Sequence, residues 1–503
     1  MGIKNITVEK LNKLSRHKPM ICFGAGGVLF EMFRKTENLH MEKNVKCVID
    51  NDETKWNSHI SVGNVEIPIF PISILRELDL DKYTIVITAK KYEDIYVQIR
   101  KYLGKRKINC YIYPNYREWI CKVFNNIAKK LPMRNCILFQ GEGDTCENAN
   151  ALGKYIKEHD CLKNYRLIWL CDNPGRFKET TKEKYVARNI CMQAKQYTLK
   201  WRYYYYKACA KYLMFENEII EKERKGQISV YMNHGSPPLK STVGHIVLPK
   251  NVDYVVCPSE NVSEIICKQY GVDEEKLIYC GSPRTDIFFS GEECINLQRE
   301  LEVQRYKKVI LWAPTFRSMN KKKRIDSSME YPYGVPVVYS ELDYRKLVEA
   351  LRCKDILLVI KPHIYQDMSR WNLQTNDNIK IITQTDLELC ESNVYDLMLL
   401  ADSLVTDYST IAFDYMLLDR MIGYTVDDMD KYNVGFSVEN PLDYMPGYKI
   451  HTVDGFIEYL EAVCTDVDEY RDKRRKVAKY IHADNGGHCK KLLEMIGISL
   501  NGK

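Results

Sequence analysis

Five polar segments of the sequence directly follow apolar, strand-like segments and contain side chains that could do chemistry. They hold histidine, arginine, lysine, aspartate and hydroxyl groups, which can move a proton or stabilise the charge of a phosphate. In doubly wound α/β sheets, ligands bind beyond the carboxyl ends of the strands, where such segments meet. The five segments are residues 233–240, 281–289, 313–317, 361–363 and 406–410.

His234 is the candidate base in the first of these segments. It lies at a strand end beside Gly235, which leaves room for a substrate. An imidazole has a pKa near neutrality, so it could take a proton from an attacking hydroxyl group. A loop histidine satisfied by backbone groups is the alternative, and the sequence around His234 keeps both interpretations open.

Four basic side chains in the other segments are candidates for binding phosphate. Arg284 lies in a Gly/Pro turn and could bind phosphate or lock the turn through Asp286. Arg317 could clamp a diphosphate with its planar guanidinium group. Lys361 and His363 could stabilise charge on a leaving phosphate. Basic residues at the start of a loop are also often only solvated, so each residue alone is weak evidence.

The last segment separates a predicted strand from an apolar helix and is a candidate anion site. Hydroxyl groups from Thr406, Ser409 and Thr410 cluster there with the free N–H groups of the helix start. Simple capping of the helix by Ser409 or Thr410 is the alternative. Asp407 and Asp414 could bind the hydroxyl groups of a sugar or polyol, or serve as capping and packing groups.

Length and composition predict an ordinary globular protein of about three domains. The 503 residues are 45% hydrophobic and 28% charged, and the net charge of +7 is too small to indicate nucleic-acid binding. The 18 cysteines are scattered, without a C-x-x-C pair or metal-ligand spacing. We therefore expect reduced thiols in a cytoplasmic protein and no metal site. The adjacent Asp427 and Asp428 are interpreted as a solvated loop pair.

Strand-like segments alternate with helical patterns along most of the chain, which predicts an α/β fold. An N-terminal α/β region precedes two further regions of similar size, which favours two facing doubly wound domains. Residues from about 466 onward read as polar helices. The predicted strands are residues 19–23, 45–49, 84–88, 136–139, 166–170, 229–232, 254–257, 308–312, 356–360 and 403–406.

The polar segments resemble those of the CDP-glycerol glycerophosphotransferase family, which includes teichoic acid primases and polyol-phosphate polymerases. The resemblance follows the family's motif order and covers residues 135–435. Asn233 stands where many members have Trp, and Ser282 stands where Tyr or Asn is common, which leaves the donor and acceptor open. The matching segments are residues 234–240, 281–289, 313–317, 361–363 and 396–414.

The resemblance implies a GT-B fold, in which two Rossmann-like domains face each other across the active site. It implies an accessory domain over residues 1–125, an acceptor domain over 126–300, a donor domain over 301–465 and C-terminal helices over 466–503. Catalytic roles are expected for His234, as general base, and His363. The donor diphosphate is expected to contact His363, Arg317, Lys361, Thr406, Ser409 and Thr410. Further polar contacts with donor or acceptor are expected from Asp407, Asp414, Arg284 and Lys240.

The N-terminal region resembles a nucleotide-binding Rossmann unit, although its glycine pattern is incomplete. Gly24 and Gly26 open a predicted helix, but Leu29 occupies the third glycine position of G-x-G-x-x-G. Asp50 ends the second strand, where an acid could meet a ribose. Gly24, Gly26 and Asp50 are therefore a candidate nucleotide site, and a scaffold, acceptor-binding or oligomerisation role is the alternative.

The expected function is transfer of glycerol phosphate or ribitol phosphate from a CDP-polyol to a teichoic-acid-like or capsular polymer or lipid-linked acceptor, with release of CMP. No cofactor is expected, because the CDP-polyol is a substrate. A GT-B glycosyltransferase that uses a nucleotide sugar and a non-catalytic scaffold are the alternatives. Homo-oligomerisation is left open, and no nucleic-acid partner is expected.

A membrane surface is the expected location, at the inner face of the plasma membrane. No apolar run approaches the roughly 20 residues that span a bilayer, so the protein is expected to lie on the membrane. The aromatic and basic stretch that includes Lys200, Arg202 and Lys207 would suit an anionic surface. A core-packing helix with a basic outer face is the alternative.

Overall fold

The chain forms two compact units, Met1–Asn126 and Ile127–Lys503. Within the second unit no break separates the two halves that the sequence predicts. The computed structural model describes residues 4–6, 8–89, 92–104, 106, 108–113, 123–141, 147–159, 164–171, 190–194, 201–233, 235, 237, 239–241, 243–244, 246–319, 324–327, 329–364, 366, 368–369, 371–483 and 486–498.

Sheet 1 forms the core of the first unit and has seven strands in the order β1-β7-β6-β2-β3-β5-β4. All neighbours are parallel except β4 and β5, and β7-β6-β2-β3-β5 is the strand order of a Rossmann sheet. The strands are β1 (Lys4–Asn5), β2 (Met20–Phe23), β3 (Val45–Ile49), β4 (His59–Val62), β5 (Val65–Phe70), β6 (Thr84–Ile87) and β7 (Cys110–Ile112). The helices are α1 (Val8–Ser15), α2 (Gly27–Lys35), α3 (Ile74–Glu77) and α4 (Tyr92–Leu103).

Sheet 2 opens the second unit and has seven parallel strands in the order β10-β9-β8-β11-β12-β13-β14. Its strands are apolar runs because helices cover both faces of a parallel sheet. They are β8 (Arg134–Gln140), β9 (Arg166–Cys171), β10 (Ile190–Ala194), β11 (Ala210–Phe215), β12 (Ile228–Tyr231), β13 (Tyr254–Cys257) and β14 (Leu277–Tyr279). The helices are α5 (Glu147–Glu158), α6 (Trp201–Cys209), α7 (Ser263–Tyr270) and α8 (Ile295–Leu301).

Sheet 3 follows in the same unit, with six parallel strands in the order β19-β18-β15-β20-β21-β22. The strands, with a short hairpin of β16 and β17, are β15 (Lys308–Trp312), β16 (Ser318–Met319), β17 (Arg324–Ile325), β18 (Ile356–Ile360), β19 (Ile379–Ile381), β20 (Ser403–Thr406), β21 (Ile422–Thr425) and β22 (Tyr448–Ile450). The helices are α9 (Glu341–Cys353), α10 (Gln384–Leu389), α11 (Val394–Leu400), α12 (Ile411–Tyr415) and α13 (Val453–Thr465).

Two C-terminal helices, α14 (Arg471–Ile481) and α15 (His488–Met495), return the chain from sheet 3 to sheet 2. Leu492 and Leu493 of α15 lie in the hydrophobic core of sheet 2. Asp286 caps α15, because its two carboxylate oxygens accept the N–H groups of His488 (2.9 Å) and Cys489 (2.8 Å). The C-terminal segment that the sequence sets apart is therefore packed into sheet 2.

The predicted α/β pattern is confirmed, since all three sheets are parallel or nearly so. Twelve of the 22 described strands are missing from the sequence-based prediction, and two of them, β11 and β21, lead into buried acidic residues described below. Among the described residues, no helix combines the length and the apolar character needed to cross a bilayer.

Candidate functional site

Four neighbouring strands of sheet 3 end at one edge, and polar loops follow them. β18, β15, β20 and β21 lie side by side and are parallel, so their carboxyl ends share this edge. Lys361 and His363 follow β18, Arg317 follows β15, and Asp407 follows β20. The sheet order therefore brings together the donor-side residues that the sequence predicts.

Arg317 is buried at this edge and joins the loops that follow β15, β20 and β21. Its Nη1 lies 2.6 Å from Asp407 Oδ2 and donates to Thr315 Oγ1, also at 2.6 Å. Its Nε and Nη2 donate to the two carboxylate oxygens of Asp428 at 2.8 and 3.2 Å. The guanidinium group thus already holds three loops together, and the diphosphate contact expected from Arg317 stays a prediction.

The interpretation of Asp427 and Asp428 as a solvated pair is wrong. Asp428 is 1% exposed, and besides Arg317 it accepts the hydroxyl of Tyr408 at 3.0 Å. Asp427 is half-buried and accepts the N–H of Val337 at 3.1 Å. Burial raises the pKa of Asp427. Across the described part of the chain, no three acidic, histidine or cysteine side chains group closely enough to hold a metal ion.

Thr406 and Asp407, at the end of β20, make their contacts within the protein. The Thr406 side chain is fully buried, and its hydroxyl donates to the carbonyl of Ala313 at 2.7 Å. Asp407 accepts the N–H of Thr315 at 3.0 Å and its hydroxyl at 2.9 Å. These bonds fix the loop after β20 against the loop after β15, so both residues position the start of α12.

Helix α12 begins directly after this loop, with Ser409 and Thr410 half-buried at its start. Thr410 occupies the cap position without a side-chain capping bond, and Ser409 Oγ lies 3.5 Å from the N–H nitrogen of Ile411. Strong capping by these hydroxyls, the alternative raised from the sequence, is therefore not what the structure shows. Diphosphate binding by Ser409 and Thr410 stays a prediction.

Lys361 and His363 lie after β18 at the same edge. Lys361 is buried, and its Nζ donates to the carbonyl of Pro362 at 3.2 Å. Burial lowers the pKa of the Lys361 ammonium, and the charge of Glu147, from the sheet 2 half, opposes this. His363 is half-buried, with its ring 4.8 Å from that of Phe316. The Lys361 ammonium therefore lies within electrostatic reach of a carboxylate from the sheet 2 half.

The turn after β12 contains the predicted base, and the base itself, His234, lies outside the described residues. Its neighbours Asn233 and Gly235 are described and buried. Asn233 has a φ of 45°, in the left-handed region that asparagine tolerates better than most residues. Its Oδ1 accepts the N–H of Gly235 (3.3 Å) and the hydroxyl of Tyr270 (2.9 Å). Asn233, which stands where many members of the family have Trp, thus fixes the turn.

This turn meets the start of α12 across the boundary between the two halves. A methyl group on Gly235 would lie 3.0 Å from Thr410 Oγ1, so only glycine allows the approach without a shift. Further along the same loop, Lys240 pairs with Phe436 in an isolated antiparallel bridge. The structure therefore brings the predicted acceptor-side turn against the start of α12, and Lys240 against another segment of the donor half.

Arg284 and Asp414 form a buried ion pair between the two halves. Arg284 Nε and Nη2 each lie 3.0 Å from Asp414 Oδ2, and neither residue is more than 4% exposed. The hydroxyl of Tyr395 also donates to Asp414, at 2.6 Å. The sequence left open whether Arg284 locks its turn through Asp286. Among the described residues, Arg284 donates no hydrogen bond to Asp286, which caps α15 instead.

Glu216 is a buried acid of this region that the sequence analysis missed. It follows β11 directly and is 3% exposed, and its Oε1 has no hydrogen-bond partner among the described residues. Burial raises the pKa of Glu216 to about 8, the charge of Glu147 adds to this, and Arg284 opposes it. A glutamate directly after the apolar run of β11 was the available signal, but that strand was itself not predicted.

In the candidate nucleotide site of the first unit, both carboxylate oxygens of Asp50 already accept backbone N–H groups. Asp50 Oδ2 accepts the N–H of Ala25 at 2.6 Å, and Oδ1 accepts the N–H of Asp52 at 2.9 Å. Gly24 has a φ of 116°, and a Cβ there would lie 2.9 Å from Ala89 Cβ. Gly26 is exposed at the start of α2. A bound nucleotide in this unit stays a prediction.

The aromatic and basic stretch around α6 is largely buried. Tyr203, Tyr204 and Tyr206 are 4–7% exposed and belong to the core. Lys207 pairs with Glu223 at 2.7 Å, Arg202 is exposed, and Lys200 lies outside the described residues. The core-packing interpretation therefore accounts for these tyrosines.

Comparison with known sequences identifies a family match over most of the chain. The sequence profile of the family described as "CDP-Glycerol:Poly(glycerophosphate) glycerophosphotransferase" matches residues 123–497. The match begins at the boundary between the two units and includes every strand of sheets 2 and 3. Residues 1–122, which are nearly all of the first unit, lie outside it.

Two curated relatives show how far the sequence similarity extends. The teichoic acid poly(glycerol phosphate) polymerase of Bacillus spizizenii is 24% identical over 348 residues, which is 63% of this chain and 81% of the relative. The teichoic acid glycerol-phosphate primase of Bacillus subtilis is 27% identical over 210 residues, which is 42% of this chain and 49% of the relative. The chain thus spans about half the length of some of the relatives it matches.

The solved structure of the wall teichoic acid polymerase TagF has the same fold. It superposes with a TM-score of 0.58 at 18% identity, and the match covers 81% of this chain and 96% of that one. This confirms the predicted fold class, in which sheets 2 and 3 form two Rossmann-like domains of the GT-B type, preceded by an additional α/β unit.

Proposed function

The chain belongs to the CDP-glycerol:poly(glycerophosphate) glycerophosphotransferase family and is thus a transferase, and we propose that it moves a polyol phosphate from a CDP-polyol to a polymeric or lipid-linked acceptor. The polyol is glycerol or ribitol, and the acceptor belongs to a teichoic-acid-like or capsular polymer. The relatives include enzymes named for glycerol phosphate and enzymes named for ribitol phosphate, which supports keeping both polyols. A TagF variant soaked with CDPG has the same fold as this chain.

The observation that carries this proposal is the contact between Gly235 and Thr410. The turn that holds His234 lies against the start of α12, so a base and a diphosphate-binding helix start would act on one phosphate. An acceptor and a donor that meet at such a contact need no large movement to react. Positioning of this kind supplies much of the rate enhancement in phosphoryl transfer.

In the proposed reaction, an acceptor hydroxyl attacks the β-phosphorus of the CDP-polyol. A new O–P bond forms while the bond from this phosphorus to the bridging oxygen breaks, and CMP leaves with that oxygen. His234 takes the proton of the attacking hydroxyl. Lys361, His363 and the start of α12 stabilise the charge that develops on the departing phosphate.

Release of CMP by the purified protein tests the proposal. CDP-glycerol, CDP-ribitol and a panel of UDP- and GDP-sugars are supplied in parallel with a polyol-phosphate acceptor. We expect CMP from a CDP-polyol and a product that gains phosphorus. Turnover of a nucleotide sugar instead would replace phosphoryl transfer by glycosyl transfer, and turnover of no donor would favour a non-catalytic scaffold.

The role of His234 is tested by His234→Ala. We expect kcat to fall about 10²–10⁴-fold, the usual contribution of a general base, with the far-ultraviolet circular dichroism spectrum unchanged. His451→Ala is the matched control, because His451 is exposed and lies outside the proposed site. Equal turnover in the two variants would remove the base role from His234.

The membrane surface is the proposed place of action, because a lipid-linked acceptor would be found there. Flotation with vesicles that contain an anionic lipid, at low and at high salt, tests this. We expect binding that weakens as salt rises. Absence of binding at low salt would limit the proposal to a polymer acceptor away from the membrane.

A further inference from the structure

Arg284 is the only described arginine that bonds both the turn beside His234 and the helix α12. While two of its nitrogens bind Asp414 of α12, its Nη1 donates to the backbone carbonyl of Asn233 at 3.1 Å. The planar guanidinium group can serve both directions at once, because its N–H groups point along different edges. One side chain thus connects the turn to the helix.

The carbonyl of Asn233 receives a second donor from α5. Asn148 Nδ2 lies 3.4 Å from this oxygen and 3.3 Å from the carbonyl of Met232. Asn148 Oδ1 in turn accepts the backbone N–H of Arg284 at 3.1 Å. Asn148 is fully buried, so Asn148 and Arg284 form one enclosed polar network under the turn.

Asp414, the partner of Arg284 in α12, lies on the same face of that helix as Thr410. Asp414 lies four residues after Thr410, so both residues lie on one face of the helix. Thr410 meets Gly235, and Asp414 meets Arg284, which holds Asn233. The residues on either side of His234 are therefore both tied to α12, one by close packing and the other through a buried charge pair.

We propose that Arg284 is a positioning residue for the transfer reaction: through Asp414 it fixes the turn that holds His234 at a set distance from the start of α12. This inference rests on the proposed function and extends it, because it assigns Arg284 no contact with substrate. It replaces the phosphate contact that the sequence suggested for this arginine. According to this proposal, the turn and the start of α12 keep a fixed position relative to each other.

Arg284→Lys is the first test. A lysine keeps the positive charge beside Asp414, but its single ammonium group cannot also reach the Asn233 carbonyl along a second edge. We expect kcat per correctly folded molecule to fall about 10²-fold, the cost of a misplacement of about 1 Å. We expect KM for the donor, and Kd for CMP, to stay near the wild-type values. A kcat that stays normal while Kd for CMP rises would overturn the inference and make Arg284 a phosphate ligand.

Hydrogen–deuterium exchange gives a readout that does not depend on turnover. We expect the backbone of residues 229–241 to exchange faster in Arg284→Lys than in the wild-type protein, while sheet 1 is unchanged. If exchange in this segment is unchanged, the inference fails. A wild-type protein that turns over no CDP-polyol would refute the proposed function, whereas the exchange experiment would still decide whether Arg284 holds the turn.

Arg474→Lys is the matched control. Arg474 is also a fully buried arginine that pairs with an acid, Asp468, at 2.5 Å, but it lies in α14 and makes no hydrogen bond to the described residues of the turn. We expect it to lower stability and leave kcat per folded molecule normal. If Arg284→Lys does not fold, Tyr395→Phe removes only one hydroxyl from Asp414 and is expected to show the same changes to a smaller degree. A fall in kcat in Arg474→Lys that equals the fall in Arg284→Lys would reduce Arg284 to a general structural role.

Discussion

Lys361 differs from Arg284 and Arg317 in the hydrogen-bond partner of its charged group. Arg284 and Arg317 both have carboxylate partners, whereas the hydrogen bond of Lys361 goes to the neutral carbonyl of Pro362. A buried ammonium group of this kind attracts an anionic ligand. Lys361 is therefore the buried cation of the site whose hydrogen bond goes to no carboxylate among the described residues, and the donor diphosphate is expected to bind there.

Donor binding should depend on pH through Lys361. Because burial lowers its pKa, this lysine loses its proton at a lower pH than an ordinary lysine, and with it the attraction for diphosphate. We expect affinity for CDP-glycerol to be highest near neutrality and to fall as the pH rises, at a lower pH than loss of the proton from an ordinary lysine would cause. Lys361→Met should weaken binding at neutral pH by about tenfold or more and remove this dependence. Calorimetric titration over the pH range measures both.

Lys449→Met is the control for this prediction. Burial also lowers the pKa of Lys449, to about 8, but its Nζ donates to the carbonyls of Met445 and Gly447 at 2.6 and 2.7 Å. The control should keep the wild-type pH dependence of donor binding. A slope that persists in Lys361→Met would show that another group titrates.

Arg317 should contribute mainly to stability. Arg317→Met would leave Asp407 and Asp428 buried without their cation, which costs about 3–5 kcal/mol of unfolding free energy. Chemical unfolding measures this, with Arg352→Met as control. The Arg352–Glu349 pair is exposed, and solvent screens such a pair so that it should contribute little to stability. Unchanged stability together with lost donor affinity would instead make Arg317 a diphosphate ligand.

At the scale of the elements, the site depends on how closely a turn and a helix approach. Gly235→Ala would place a methyl group 3.0 Å from Thr410 Oγ1 and 3.7 Å from its Cγ2, so the turn must shift by a few tenths of an ångström. We expect intact folding and a fall of about tenfold in kcat. Steady-state kinetics and circular dichroism check the two parts.

Gly455→Ala is the control for this substitution. Gly455 lies near the start of α13, and its new Cβ would meet Thr452 Oγ1 at a normal 3.7 Å. Alanine favours a helix over glycine by up to about 1 kcal/mol, so this variant should be as stable as wild type or slightly more so. A Gly235→Ala protein with normal kcat would show that the turn absorbs the methyl group without displacing the base.

All the strands that the sequence predicts have at least four residues, and most of those it misses are shorter, although the longer β11 is also missed. The segment 308–312 and the segment 356–360 are read correctly as β15 and β18. β21 is a short run that contains glycine, Ile422–Thr425, and it was not recognised. Asp428 was consequently assigned to solvent, although the strand carries it into the buried edge.

Most contacts of the site could not be predicted from the sequence, because the contacting residues lie far apart in the chain. Arg284 and Asp414 are separated by 130 residues, and Arg317 and Asp428 by 111. Local pattern shows that a cation follows a strand, but only the sheet order shows which acid faces it. The strand-end positions were therefore predictable, whereas the division between ligand-binding and positioning residues was not.

At the scale of the whole molecule, the residues of the proposed site all lie in the second unit. We expect a fragment of residues 127–503 to fold alone and to release CMP with the kcat and KM of the full chain. Unfolding curves and the CMP assay check this. A fragment that folds but has lost activity would assign the first unit a part in acceptor binding or catalysis.

The return of α15 to sheet 2 has a consequence for how the protein is made. The core of sheet 2 needs Leu492 and Leu493, which leave the ribosome after all of sheet 3. Sheet 2 therefore stays incomplete while sheet 3 is synthesised, with part of its apolar surface uncovered. Sheet 1, complete by residue 112, can fold while the rest is still being synthesised, because domains generally fold in the order in which they emerge.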